Sequence, residues 1–244
     1  MTMSPDGKEH FFTKTDSTYW FYEGILQVKT GPNNEIVVDT PQFVRDFVFD
    51  TVPFIGEPMI APNNKDLYFV ANYPTDFYRS QRTASGEWSK AVRMDSISSE
   101  GKDWYLTASK NNTLYFADGE ALYKSIDENG KHNSRIKLKE GFNQPKIYDP
   151  CISKNEDYMI FVSSTREDGF GKSDLYVSFK DENGNWLDPI NLGSTINSEC
   201  EEFAPYISPD EKFLFFSKRE KWNNPAFSNI YWVSLKIIDQ YRNQ

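Results

Sequence analysis

Five acidic residues stand just ahead of four recurring apolar phrases: Glu57, Asp103, Asp149 and the pair Glu201 and Glu202. Brought together, such carboxylates would hold a hard cation such as calcium through oxygen ligands, or attract a basic peptide. Two of them facing each other would divide the work of acid and base in glycoside hydrolysis. As separate solvated loop charges of an acidic protein they would do none of this. Arg79, Arg82, Arg166 and Arg219 follow strand-like stretches, and clustered guanidinium groups would clamp a substrate carboxylate bidentately. Their unequal placement fits bridges between structural units better.

Other chemistry is thinly represented. The two histidines, His10 and His132, lie near no Ser or Cys that would complete a triad. There is no Gly-x-Ser-x-Gly elbow. The stretch GFGKSD (169–174) contains Gly-Lys-Ser without the preceding phosphate loop, so it reads as a hairpin. No catalytic residue is assigned and no cofactor is predicted, apart from the cation considered above. Cys151 and Cys200 are the only cysteines; a pair in an oxidising compartment and two free thiols both fit, the thiols being the plainer reading.

Those residues need elements to hold them, and the composition points to strands. Aromatic residues make up 16% of the 244 residues and are chiefly Phe and Tyr, which favours sheet over helix. The formal charge of −9 argues against a nucleic-acid groove or an anionic membrane surface as partner. No apolar run reaches transmembrane length. The start, MTMSPDGKEH, lacks a basic region followed by an apolar stretch, which fits a cytoplasmic chain as well as a processed one.

One phrase recurs along the whole chain. ISPDEKFLFF (207–216) aligns with ISKNEDYMIF (152–161), IAPNNKDLYF (60–69), ASKNNTLYF (108–116) and MSPDGKEHFF (3–12). Anchored on Ser4, Ala61, Ser109, Ser153 and Ser208, the copies lie 57, 48, 44 and 55 residues apart, about the length of a four-stranded propeller blade. Pro fixes φ, Asp or Asn bonds its own backbone, and Gly or Asn tolerates positive φ, so each anchor is a tight hairpin bend. A second phrase supplies a third strand, with Tyr78, Tyr123, Tyr176 and Tyr231 in equivalent places. A third phrase, SGEWSKAVRM (85–94), NGKHNSRIKL (129–138) and NGNWLDPINL (183–192), turns at Gly and leads into a fourth strand. There Trp88 and Trp186 pack on a neighbouring sheet, and His132 takes the Trp position of the middle unit.

A single such sheet has two partly apolar faces and cannot stand alone; stacking around an axis covers them. The expectation is therefore an all-β protein: one β-propeller domain over 1–244, of four-stranded antiparallel blades, five in number with six as the alternative. The stretches 33–56 and 93–102 read as links between blades. The only helical periodicity falls at 40–49. The segment before Ser4 is short for an innermost strand, and the tail LKIIDQYR (235–242) is short for an outer one.

These phrases resemble the WD40-like repeats of TolB-type propellers, above all SPDGKEHFF (4–12), STREDGFGKSDLYVS (164–178) and NLGSTINSECEEFAPYISPDEKFLFFSK (191–218). Two anchors depart from Pro-Asp, carrying Asn63-Asn64 and Lys154-Asn155, and the third is one residue shorter. The resemblance implies a bacterial periplasmic, secreted or surface-associated propeller, often built for protein contacts; fold alone does not imply activity. The Gly-x-Trp turns TASGEWSK (83–90) and DENGNWLD (181–188) keep only part of the Asp-box of sialidase-like propellers.

The reading that follows is a non-enzymatic binding propeller, recognising a protein, a peptide or a small ligand at the channel mouth or on the loop face. The alternative is a glycan-active propeller, a sialidase-like or other hydrolase or a lyase, working through the carboxylates ahead of the inner strands. Trp20, Tyr73, Trp222 and Phe227 are further contact candidates in longer loops.

Overall fold

The computed structural model describes residues 1–15, 22–31, 35–41, 54–72, 74–142, 146–220 and 228–242. The helical pattern at 40–49 lies largely outside these residues, and Trp20, Tyr73, Trp222 and Phe227 lie wholly outside them.

The protein is an all-β propeller of five antiparallel blades. Blade one comprises β1 (Thr2–Met3), β2 (Glu9–Thr15), β3 (Tyr22–Thr30) and β4 (Ile36–Asp39). Blade two has β5 (Ile55–Ile60), β6 (Asp66–Ala71), β7 (Asp76–Gln81) and β8 (Val92–Arg93). Blade three has β9 (Trp104–Ala108), β10 (Leu114–Ala117), β11 (Leu122–Ser125) and β12 (Ile136–Lys137). Blade four has β13 (Ile147–Ile152), β14 (Tyr158–Ser163), β15 (Asp174–Phe179) and β16 (Ile190–Asn191). Blade five has β17 (Glu201–Ile207), β18 (Phe213–Arg219) and β19 (Ser228–Ser234), three strands among the described residues. The tail then forms a short 3-10 helix, Leu235–Tyr241, instead of an outer strand. The stretch expected to be only a link between blades one and two contains β4, the fourth strand of blade one. Its residues carry no phrase in common with the other outer strands.

The five anchors are one device used five times. In each, the anchor amide bonds across the hairpin, as in Ser4 N to Glu9 O at 2.8 Å and Ser208 N to Phe213 O at 2.9 Å. The fourth turn residue has positive φ throughout: Gly7, Asn64, Asn112, Glu156 and Glu211, between 54° and 70°. Anchor serines add a hydroxyl that accepts from the strand beyond, as with Phe213 N to Ser208 Oγ at 3.0 Å and Tyr158 N to Ser153 Oγ at 3.1 Å. Ala61 has no hydroxyl, and Asn63 Oδ1 takes the amide of Lys65 at 2.7 Å instead.

Packing within and between blades follows the repeat as well. Tyr78, Tyr123, Tyr176 and Tyr231 each stack on a Phe of the preceding strand (Phe69, Phe116, Phe161 and Phe216), with ring centroids 5.7–6.0 Å apart. Trp88 meets Phe11 of blade one edge-on, and Trp186 meets Tyr115 of blade three. His132, in the Trp position, meets Tyr68 of blade two in the same way. Buried apolar clusters fill the junctions one–two, two–three, three–four and four–five. Among the described residues no such cluster lies between blades five and one. There Tyr206 Oη accepts the Met3 amide at 3.0 Å, while Ile230 and Trp232 on β19 are 60% and 62% exposed.

Candidate functional site

The inner strands share an irregularity that makes the site. In β5, β9, β13 and β17 the ladder register shifts once. Within each shift one non-glycine residue takes a left-handed conformation: Glu57 (φ 53°), Tyr105 (φ 50°), Asp149 (φ 48°) and Ala204 (φ 50°). A β-bulge of this kind leaves the extra residue's amide outside the ladder, and a non-glycine residue there costs about 1–2 kcal/mol. Three of the liberated amides find partners in the preceding blade. Glu57 N donates to Thr13 Oγ1 at 2.9 Å, Tyr105 N to Glu57 Oε2 at 2.9 Å, and Ala204 N to Asp149 Oδ2 at 2.6 Å. These bonds link blades one and two, two and three, and four and five, a partial belt around the axis.

Inside the belt runs an axial cavity of about 250 Å³. Thr13, Glu57, Tyr105 and Asp149 line one end, and the hairpin residues Pro5, Pro62, Lys154 and Glu211 line the other. Between them the wall is mainly apolar, with Met59, Ile60, Leu106, Ile152 and Ile207. Asp149 is 5% exposed, and its Oδ1 has no hydrogen-bond partner. Burial pushes its carboxyl up to about 7, and the nearby Glu201 charge adds to the rise. Burial likewise pushes the Cys151 thiol up to about 12. The Met1 amino group is held below its ordinary value by burial, against an opposing pull from Glu57 and Asp149.

Of the five acidic candidates, the structure brings Glu57 and Asp149 to the cavity and the others elsewhere. Asp103 is buried in the loop before β9, where it accepts from Ser99 N at 2.7 Å and pairs with Arg135 at 2.7 Å. Glu202, at the start of β17, does the same for the loop that precedes the strand, taking Ser198 N at 3.1 Å and Ser198 Oγ at 2.6 Å, with Lys218 Nζ at 3.7 Å. Burial raises the proton affinity of both carboxyls. Glu201 pairs with Arg219 at 2.8 Å.

The four arginines do not converge. Arg79 grips Asp66 and reaches Gly130 O in the next blade at 2.8 Å. Arg82 pairs with Glu9 of blade one and lies over Trp88. Arg166 covers the Tyr176 ring and donates to Gly141 O. Arg219 covers Phe203. Arg79 and Arg82 tie one blade to the next, while Arg166 and Arg219 cover rings of their own blades. Both cysteines are free thiols, Cys151 buried and Cys200 half-buried. Among the described residues no group of three or more His, Cys, Asp or Glu side chains converges as metal ligands.

Thr13, Tyr105 and Ala204 belong to the belt without having been singled out by residue type. Register could have found two of them: Glu57, Tyr105, Asp149 and Ala204 all stand four residues ahead of their anchors.

No protein-family model matches the chain, and no curated protein matches it in sequence. Solved structures do match in fold. An exo-β-1,3-galactanase from Clostridium thermocellum superposes with a TM-score of 0.60 at 12% identity, covering 96% of this chain and 58% of that one. A protein described as TolB from Agrobacterium tumefaciens gives 0.59 at 14% identity, over 96% and 78%. An arabinanase from Bacillus subtilis gives 0.56 at 14% identity, over 96% and 92%. The chain therefore spans less than two thirds of the galactanase chain. At these identities the likeness concerns the fold alone. Among the described residues no helix is long and apolar enough to cross a membrane.

Proposed function

We propose that the protein is a binding propeller whose ligand enters the axial cavity, a non-catalytic receptor for a small molecule or for a side chain of a protein or peptide. The observation that carries this reading is the division of labour at Asp149. One carboxylate oxygen is fixed on the Ala204 amide, and the other is buried at the cavity without a partner. A buried polar atom left unsatisfied costs about 1–3 kcal/mol, which a bound donor would recover. The carboxylates are also poorly suited to turnover. Glu57 and Asp149 each hold a backbone amide of the next blade, whereas a glycosidase acid and base exchange protons with substrate and water. The TolB-like neighbour and the repeat phrases agree with a binding role in a periplasmic or extracellular setting.

A glycan-active reading has one observation in its favour. Asp149, with its carboxyl near 7, has the protonation behaviour of a general acid, and two of the similar folds are a galactanase and an arabinanase. One experiment separates the two. Thermal-shift and NMR screening against peptides, amines and oligosaccharides is run beside a reducing-sugar assay on arabinan and β-1,3-galactan. Ligand-induced stabilisation with no sugar release is the expected outcome. Sugar release lost in both Glu57→Gln and Asp149→Asn would overturn the binding reading.

A further inference from the structure

We infer that the axial cavity is a receptor for a primary ammonium group carried on an unbranched aliphatic stem, with the ammonium seated against Asp149. This deepens the binding role proposed above and rests on it. Three features select that chemistry.

The first is the single available oxygen. Asp149 Oδ2 is committed to Ala204, so only Oδ1 remains for a ligand. A guanidinium fork needs both oxygens of one carboxylate to bond bidentately, whereas an ammonium is a point charge with three rotatable donors. The second is charge. Asp149 is almost wholly buried, and ionising it there is costly unless a positive group accompanies it. Glu57, the other carboxylate at this end, adds to the negative field. A bare metal ion is a poorer match. Calcium takes six to eight oxygen ligands, and no three-carboxylate group stands here among the described residues.

The third is the shape and polarity of the wall. Beyond the carboxylates, Met59, Ile60, Leu106, Ile152 and Ile207 line a passage of about 250 Å³. An apolar cavity of about 150 Å³ suffices to hold benzene, so there is room for a chain of four or five methylenes. Each buried methylene contributes about 0.8 kcal/mol. Two sources carry this chemistry, the lysine side chain of a peptide and a free alkylamine.

The test is calorimetric titration at pH 8 with n-pentylamine, Nα-acetyl-lysine-N-methylamide and 1-pentanol, on the wild-type protein and on Asp149→Asn. The Asn variant keeps a carbonyl for the Ala204 amide and so keeps the fold, which circular dichroism checks. At least one amine is expected to bind ten-fold or more tighter than pentanol, and Asp149→Asn to weaken it at least ten-fold. Binding of the acetyl-lysine amide marks the peptide source. Binding of pentylamine alone marks a free amine. Equal binding of amine and alcohol, no binding of either amine, or amine binding unchanged in a folded Asp149→Asn would each overturn the inference. An uncharged ligand whose NMR footprint falls on the cavity wall would leave the binding role standing while removing the ammonium, and sugar release would remove the binding role itself.

Discussion

Asp149 of blade four and Ala204 of blade five are joined by a 2.6 Å hydrogen bond from the Ala204 amide to Asp149 Oδ2, and both residues sit in left-handed bulges. The bond explains how a strained non-glycine conformation persists at the heart of the molecule. The bulge turns the amide out of the ladder, and the neighbouring blade supplies its acceptor. Removing that acceptor exposes the strain. Asp149→Ala is expected to destabilise the protein by about 1–3 kcal/mol through the orphaned amide, and Asp149→Asn by much less. Urea unfolding of the two variants beside wild type checks this; equal losses would show that the bond carries no stability.

The same residue gives the protein a pH signature. Its carboxyl is raised to about 7 in the fold by burial, against about 3.9 in an unfolded chain. The folded state therefore holds a proton that the unfolded state has released across that interval. The contribution is fully present below about pH 4 and is lost as pH rises to about 7, up to about 4 kcal/mol at 1.36 kcal/mol per unit. Asp149→Asn is expected to flatten this part of the profile and to equal or exceed wild-type stability above pH 7. Thermal melts between pH 4.5 and 8 read it directly, and an unchanged slope in the variant would assign the titration elsewhere.

The blades were legible in the sequence because their turns are local chemistry. Ser4-Pro5-Asp6-Gly7 and Ser208-Pro209-Asp210-Glu211 specify a bend without reference to distant residues, and the stacked Tyr and shared Trp positions recur in register. The site was legible only in part. Choosing carboxylates by type found Glu57 and Asp149 but also gathered Asp103 and Glu202, which stand six residues ahead of their anchors. Those two are buried and turn to the loops that precede their strands, where Ser99 and Ser198, each four residues earlier, bond them. Strand β4 escaped detection because Ile36–Asp39 pairs through its backbone and shares no motif with β8, β12 or β16.

Asp103 and Arg135 make the buried-loop role testable. The carboxylate is fully buried and Arg135 also holds Asp118 at 3.0 Å and Ile97 O at 2.9 Å. Truncating one partner of a buried ion pair leaves an uncompensated charge and costs about 3–5 kcal/mol. Arg135→Met is expected to lose that much, with part of it restored in the Asp103→Asn, Arg135→Met double variant. A double-mutant cycle by chemical denaturation measures the coupling. Additive losses would mean that the two residues act independently, and a loss of ligand binding in Arg135→Met at unchanged stability would return Asp103 to the candidate site.

Blade five offers the sharpest contrast between two faces of one sheet. Leu214 and Phe216 of β18 are buried in the cluster shared with blade four. Phe213 and Phe215 alternate to the other face, where Phe215 pairs in register with Trp232 and Phe213 packs edge-on against its ring at 5.3 Å. Trp232 and Ile230 nevertheless remain mostly exposed. Phe216→Ala is expected to cost about 3–5 kcal/mol, the usual loss for a large aromatic removed from a packed core. Trp232→Ser and Ile230→Thr, on the open face of β19, are expected to change stability by no more than about 0.5 kcal/mol. Because contiguous exposed apolar surface promotes association, the pair of surface changes should also reduce binding of a hydrophobic dye and any concentration-dependent self-association in sedimentation velocity. A large stability loss from Trp232→Ser would show instead that this face is closed against blade one in solution.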